Sequence, residues 1–139
     1  IREGSLRQTA LNLDVDVLLY EAGEGLRFDE TAVRAGVSGV LRVMKHLGMI
    51  DEAPEQNEPS HIYLKSDWLR AKYAGLFNSV AELGQEIEKK EKLGHIAEPF
   101  GHEEFEIFST RAARIIGMNY SPVVHKGDAL MHIAYDLEK

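Results

Sequence analysis

Arg42, Lys45 and His46 fall at spacings that set them on one side of a short helix, opposite the apolar Val40, Leu41 and Met44. Arg34 and Ser38 precede them, and His61 and Lys65 follow on a short apolar ribbon. Side chains of these types suit nucleic acid. An arginine fork matches a guanine edge, lysine and histidine meet phosphate, and a serine hydroxyl can join either. Arg34, Ser38, Arg42, Lys45, His46, His61 and Lys65 are therefore the expected DNA-contacting set.

Other residue groups suggest other chemistry. His95 and His102 are seven apart, as are His125 and His132, while His132 and Asp136 stand at i, i+4. His102, Glu103 and Glu106 form a similar cluster. On helices, such spacings let two side chains share one metal ion through nitrogen and oxygen. No HExxH accompanies them, so surface histidines and a helix-end ion pair are expected, with no metal and no cofactor. Dinucleotide, phosphate-loop and nucleophile-elbow motifs are missing. Gly23-Glu24-Gly25 follows no parallel strand and reads as a turn, and Glu103-Glu104 reads as solvated. These features predict a protein that is not an enzyme. Trp68, Tyr73, Phe77, Phe105 and Phe108 are expected to pack a core or to line a pocket for a small-molecule effector.

The positioning elements follow from periodicity and caps. Residues 5–22 carry Leu6, Ala10, Leu13, Val17 and Tyr20 at helical spacing. Asp29 caps a first short helix, Gly36 offers a break, Ser38 caps a second helix over 38–47, and Gly48 stops it. The loop DEAPEQNEPS leads to a ribbon at 61–65. From Leu69 the apolar residues Tyr73, Leu76, Val80, Leu83 and Ile87 recur at intervals of 4, 3, 4, 3 and 4. That seam predicts one helix over 67–92, packed within its own domain or paired with a second subunit. Further helices are predicted over 102–116 and 128–137. No internal repeat or low-complexity tract is read. The expected fold is mainly α: a winged helix-turn-helix with a small β-ribbon in 1–66, and a helical dimerisation or ligand region in 67–139.

Composition bounds the rest. With 139 residues and 44% hydrophobic content, the chain fits an ordinary globular protein. No apolar run approaches the roughly 20 residues that span a bilayer, and the first residues lack the pattern of a leader. The absence of cysteine points to the cytoplasm. A net charge of −7 opposes polyanion binding, since phosphate neutralisation supplies most of that affinity. Locally, Arg34, Arg42 and Lys45 outnumber Glu30, but Asp51, Glu52, Glu55 and Glu58 make the following loop acidic.

The stretches DETAVRAGVS, LRVMKHLGMI and HIYL together resemble winged helix-turn-helix transcriptional regulators, in the layout of the multiple-antibiotic-resistance type. The resemblance implies a homodimeric DNA-binding regulator, with helix 38–47 in the major groove and Leu69, Tyr73, Leu76, Val80, Leu83 and Ile87 at the dimer seam. A second resemblance is to the N-terminal dimerisation domain of small-molecule O-methyltransferases, carried by ALNLDVDVLLYEAGEG and GHEEFEIFSTRAARIIGMNY. It implies a non-catalytic winged-helix interaction or substrate-cap domain.

Overall fold

The computed structural model describes residues 2–56, 59–101 and 103–138. The chain divides into two units, Ile1–Pro59 and Ser60–Lys139.

In the first unit, Ser5 caps helix α1 (Leu6–Asn12) by accepting from the Gln8 amide at 3.2 Å. The helix does not continue to residue 22. Asp14 takes a left-handed φ of +58°, and residues 15–20 are not helical. Their sequence, VDVLLY, explains this, because β-branched and aromatic side chains fit an extended backbone better than a helix. Asp29 then caps helix α2 (Glu30–His46), its carboxylate accepting from Thr31 N at 2.9 Å and Ala32 N at 3.0 Å. α2 is one continuous helix, so the predicted break at Gly36 and the cap at Ser38 are corrected. Gly36 has another task. A Cβ there would stand 2.8 Å from Cε1 of Tyr20, whose ring lies against the helix and whose hydroxyl donates to Ala32 O at 2.7 Å. Among the described residues of this unit, none is buried.

The second unit is built of strands: β1 (Tyr63–Arg70), β2 (Gly75–Ser79), β3 (Glu86–Ile87), β4 (Lys92–Ala97), β5 (Glu104–Phe108), β6 (Ala113–Met118), β7 (Val123–Val124) and β8 (Ala129–Leu137). They form two four-stranded antiparallel sheets, ordered β1-β8-β6-β3 and β5-β4-β2-β7. The core is made of Leu93, Ile96, Ile115, Leu130, Met131 and Ile133, all essentially inaccessible. The mainly α expectation is thereby corrected. The predicted helices over 67–92, 102–116 and 128–137 are strands and turns (His102 lies outside the described residues), and the ribbon at 61–65 is the start of an eight-residue strand paired to β8, not a wing. Asp128 caps no helix; its carboxylate accepts from His125 N within a turn at 2.8 Å.

The unit also contains a repeat that the sequence reading missed. Adding four to each strand number, and counting on from β1 after β8, converts the first sheet order into the second. The segments EIEKKEKLGHIA (86–97) and VVHKGDALMHIA (123–134) align without a gap, sharing the Lys89/Lys126, Leu93/Leu130, His95/His132, Ile96/Ile133 and Ala97/Ala134 identities. Backbone detail repeats with them. Lys90 and Gly127 both take positive φ, at +70° and +97°. Glu91 accepts from Glu88 N at 2.6 Å as Asp128 does from His125 N. Lys90 N and Gly127 N donate to Ser109 O and Ala71 O at 2.9 and 2.8 Å, and Ser109 N and Ala71 N return bonds to Glu91 O and Asp128 O, both 2.8 Å. The unit is two copies of one four-stranded half, interlocked about a pseudo-twofold axis.

Candidate functional site

The apolar segment 15–20 leads into Glu21, and the chain then turns through Ala22, Gly23, Glu24, Gly25, Leu26 and Arg27 before Asp29 opens α2. The turn needs left-handed backbone, which Gly23 supplies at φ +84° and Leu26 at +66°. It is tied at both ends, by the Tyr20 hydroxyl on Ala32 O and by the Asp29 cap. Between these ties lies a cleft of about 200 Å³ lined by Tyr20, Gly23, Glu24, Arg27, Phe28 and Gly36. Arg27 Nη2 reaches Glu24 Oε1 at 3.1 Å, an exposed pair that holds the turn's shape more than it stabilises the chain. Glu21 is exposed and makes no side-chain hydrogen bond or ion pair with the described residues. The turn thus carries one carboxylate engaged by an arginine and one that is exposed and unpaired among the described residues. Sequence reasoning passed over these residues, taking Gly23-Glu24-Gly25 for a plain turn. The signal was present: an apolar β-branched run, two glycines bracketing an acid, and a capped helix have the sequence pattern of a strand–turn–helix unit, whose strand end is where ligands of α/β sheets gather.

The predicted DNA-contacting residues are divided between the two units. Arg34, Ser38, Arg42, Lys45 and His46 lie along the polar side of α2, within an arc of about 120° at 3.6 residues per turn. His61 and Lys65 belong to the second unit. His61 Nδ1 lies 3.4 Å from Arg114 Nη1, and Lys65 Nζ pairs with Asp136 at 2.7 Å. That bond and the charge of Asp136 raise the lysine above its ordinary pKa range.

The predicted dimer seam does not lie along one helix. Leu69 is on β1, Leu76 on β2 and Ile87 on β3, with Tyr73, Val80 and Leu83 in the intervening turns. Ile87 is buried in its own unit's core, and Tyr73 stacks on Phe105 with centroids 3.7 Å apart. Trp68, Tyr73, Phe105 and Phe108 line a cleft of about 330 Å³ with Arg70 and Lys72, whereas Phe77 is in the core. His132 stacks on Trp68 at 4.4 Å. On a strand, His132 and Asp136 are about 13 Å apart along the chain at 3.3 Å per residue, which rules out a chelating pair. Among the described residues no three histidines and acids converge on a cation position, and no helix is long and apolar enough to cross a membrane.

Comparison with solved structures gives this geometry its setting. The chain superposes on a succinylglutamate desuccinylase/aspartoacylase from Rhodobacter sphaeroides with a TM-score of 0.70 and 25% identity, covering 81% of this chain and 38% of that one. The fold is shared with succinylglutamate desuccinylase/aspartoacylase proteins. The ectoine utilization protein EutE (DoeB) from Ruegeria pomeroyi, in a product-bound structure, matches with a TM-score of 0.83 and 17% identity, over 96% of this chain and 42% of its own. A succinylglutamate desuccinylase from a Silicibacter species matches at 0.77 and 19%, again over 96% and 42%. No protein-family model and no curated protein matches the chain. The chain spans about two fifths of the length of these structures.

These likenesses overturn the winged-helix regulator and its DNA partner, the methyltransferase dimerisation domain, and the expectation of a protein that is not an enzyme. The physical reason lies in the fold already described. α2 is a single rod with no helix-turn-helix, the supposed wing is a strand of a sheet, and the supposed dimer helix is a set of hairpins.

Proposed function

We propose that this chain forms part of a hydrolase that splits the amide bond of an acylated amino acid, with Glu21 as the carboxylate that carries the proton. The observation behind this reading is an unpaired carboxylate at the carboxyl end of an apolar segment, in a fold shared with proteins named as desuccinylases and aspartoacylases. In amide hydrolysis, water adds to the acyl carbon, the C–N bond breaks, and a carboxylic acid and an amine leave. One proton departs from the water and one reaches the nitrogen. A single carboxylate can take the first and deliver the second. Glu24, held by Arg27, acts on a different level: it fixes the turn that presents Glu21. A cytoplasmic setting goes with this reading and with a sequence free of cysteine.

The test is Glu21→Gln in the intact protein, following release of free amino acid from succinylglutamate and from N-acyl aspartate. Loss of the proton carrier lowers kcat by about 100-fold or more, the usual range for general acid–base groups, with KM little changed. Glu24→Gln is expected to act far more mildly. Full activity in Glu21→Gln would remove the proposal.

A further inference from the structure

The aromatic cleft of the second unit is lined from the two edge strands β1 and β5, which the repeat makes equivalent. Ala71 and Ser109 make matching bonds to the hairpins of the opposite halves, so 71 corresponds to 109 and the neighbouring positions follow in step. The registers agree in detail. Trp68 pairs with His132 as Glu106 pairs with His95, and each ladder carries its irregularity at the same place, beside Arg70 and beside Phe108. The turn after each edge strand also reaches the other one. Tyr73 stacks on Phe105, and at the equivalent positions Arg111 Nη2 meets Asp67 Oδ2 at 3.4 Å. The cleft therefore sits on the pseudo-twofold axis, with corresponding positions of the two halves as its two walls.

The backbone symmetry stops at the side chains. Leu69 and Ile107 match, but Arg70 stands where the other half has Phe108, and Lys72 where it has Thr110. One wall carries two cations, and the other an aromatic ring and a hydroxyl. Arg70 Nη1 donates to Gly127 O at 2.9 Å, which fixes the guanidinium and leaves its remaining donors unused among the described residues. Lys72 makes no side-chain hydrogen bond or ion pair among them. Glu106, the acid among the lining residues, is already engaged by Lys92 at 2.6 Å. Trp68, Tyr73 and Phe108 each keep almost half of their surface exposed. A volume of about 330 Å³, apolar walls and a few charged groups are the marks of a small-molecule site.

We propose that this cleft binds a small organic acid with an aromatic body, its carboxylate on Arg70 and Lys72 and its ring against Phe108 and Trp68. An arginine fork meets a carboxylate with parallel N–H bonds, and a lysine adds a point charge. A neutral apolar guest would leave both cations without a partner, and an inorganic anion would leave the rings uncovered. The proposal uses the second unit alone and does not depend on the role given to Glu21.

Hydrocinnamate serves as the probe, followed by tryptophan fluorescence of the intact protein. It is expected to bind with a Kd of about 1 mM, the scale for a ligand of its size, and the response is expected to vanish in Trp68→Phe. Lys72→Met is expected to weaken binding about 10-fold while the amides of β4 and β8 stay protected in hydrogen exchange, since the change removes a charged contact and no internal bond. Hydrocinnamamide, of the same shape but neutral, is expected to bind more weakly still. Equal binding of acid and amide would overturn the proposal, as would a response that survives Trp68→Phe or the lack of any response at ten times the expected Kd. Activity is not the readout, so the fate of the Glu21 proposal remains separate.

Discussion

Residues 15–20, VDVLLY, and residues 129–134, ALMHIA, each hold five apolar side chains in six positions, but only the second forms a strand. The first six are all exposed, while Leu130, Met131, Ile133 and Ala134 of the second lie at the centre of a sandwich. The difference is in the neighbours. Segment 129–134 has β1 on one edge and β6 on the other, with the second sheet across its inner face. Segment 15–20 has no strand paired to it among the described residues, and its Tyr20 ring lies against α2. Apolar content states what a segment needs; only its surroundings supply it. The two units therefore differ in kind. One is a closed core assembled from two equivalent halves, and the other is two helices joined by an uncovered apolar segment and an acid-bearing turn.

The comparison can be broken most forcefully in the core. Leu93 and Leu130 are equivalent in the two halves and fully buried, so Leu93→Ala and Leu130→Ala should each cost about 2–5 kcal/mol in urea unfolding followed by tryptophan fluorescence from Trp68. Leu18→Ala in the 139-residue chain should stay within about 0.5 kcal/mol, as for an exposed site. A large effect at Leu18 would mean that the first unit has a core of its own.

Next in size is Gly94. A side chain there would run into the carbonyl of Asn78 on the neighbouring strand, so Gly94→Ala should lose about 1–3 kcal/mol and loosen the β2–β4 pair in amide exchange. Gly39 on α2 faces open space, and Gly39→Ala should instead raise helicity by circular dichroism, with a gain of about 1 kcal/mol at most.

The smallest effect concerns the surface of the sandwich. Lys65 is held above the ordinary lysine range by Asp136. With the folded value raised, whatever the pair contributes is present below the ordinary lysine range and is lost as pH climbs through the raised value. In Asp136→Asn the Lys65 side chain should return to ordinary titration by NMR, and the alkaline fall in stability attached to the pair should disappear, with little change at neutral pH.

Legibility followed the range of the interactions. The Asp29 cap was readable because donor and acceptor lie within three residues, and the left-handed Gly48 after α2 is equally local. The seam from Leu69 to Ile87 misled because short strands joined by tight turns also bring an apolar residue round every three or four positions. Gly75 and Gly84 within that stretch were the warning, each costing a helix about 1 kcal/mol. Glu21 was missed for the opposite reason: it belongs to no motif, and its interest comes from standing unpaired at the end of an apolar segment beside a pair that is engaged.

The sequence by itself determined the caps and turns of the chain, the charge distribution along α2, and the doubled segment at 86–97 and 123–134, since these rest on contacts a few residues long or on identity of letters. Tertiary structure alone decided that residues 63–137 are sheets and that the repeated halves interlock. It also decided that Glu21 is the free acid of its turn. Pairing Tyr63 with Leu137 closes a loop that spans the whole second unit. Such pairing depends on which distant backbone offers its amides and which side chains exclude water together, and no local spacing encodes that.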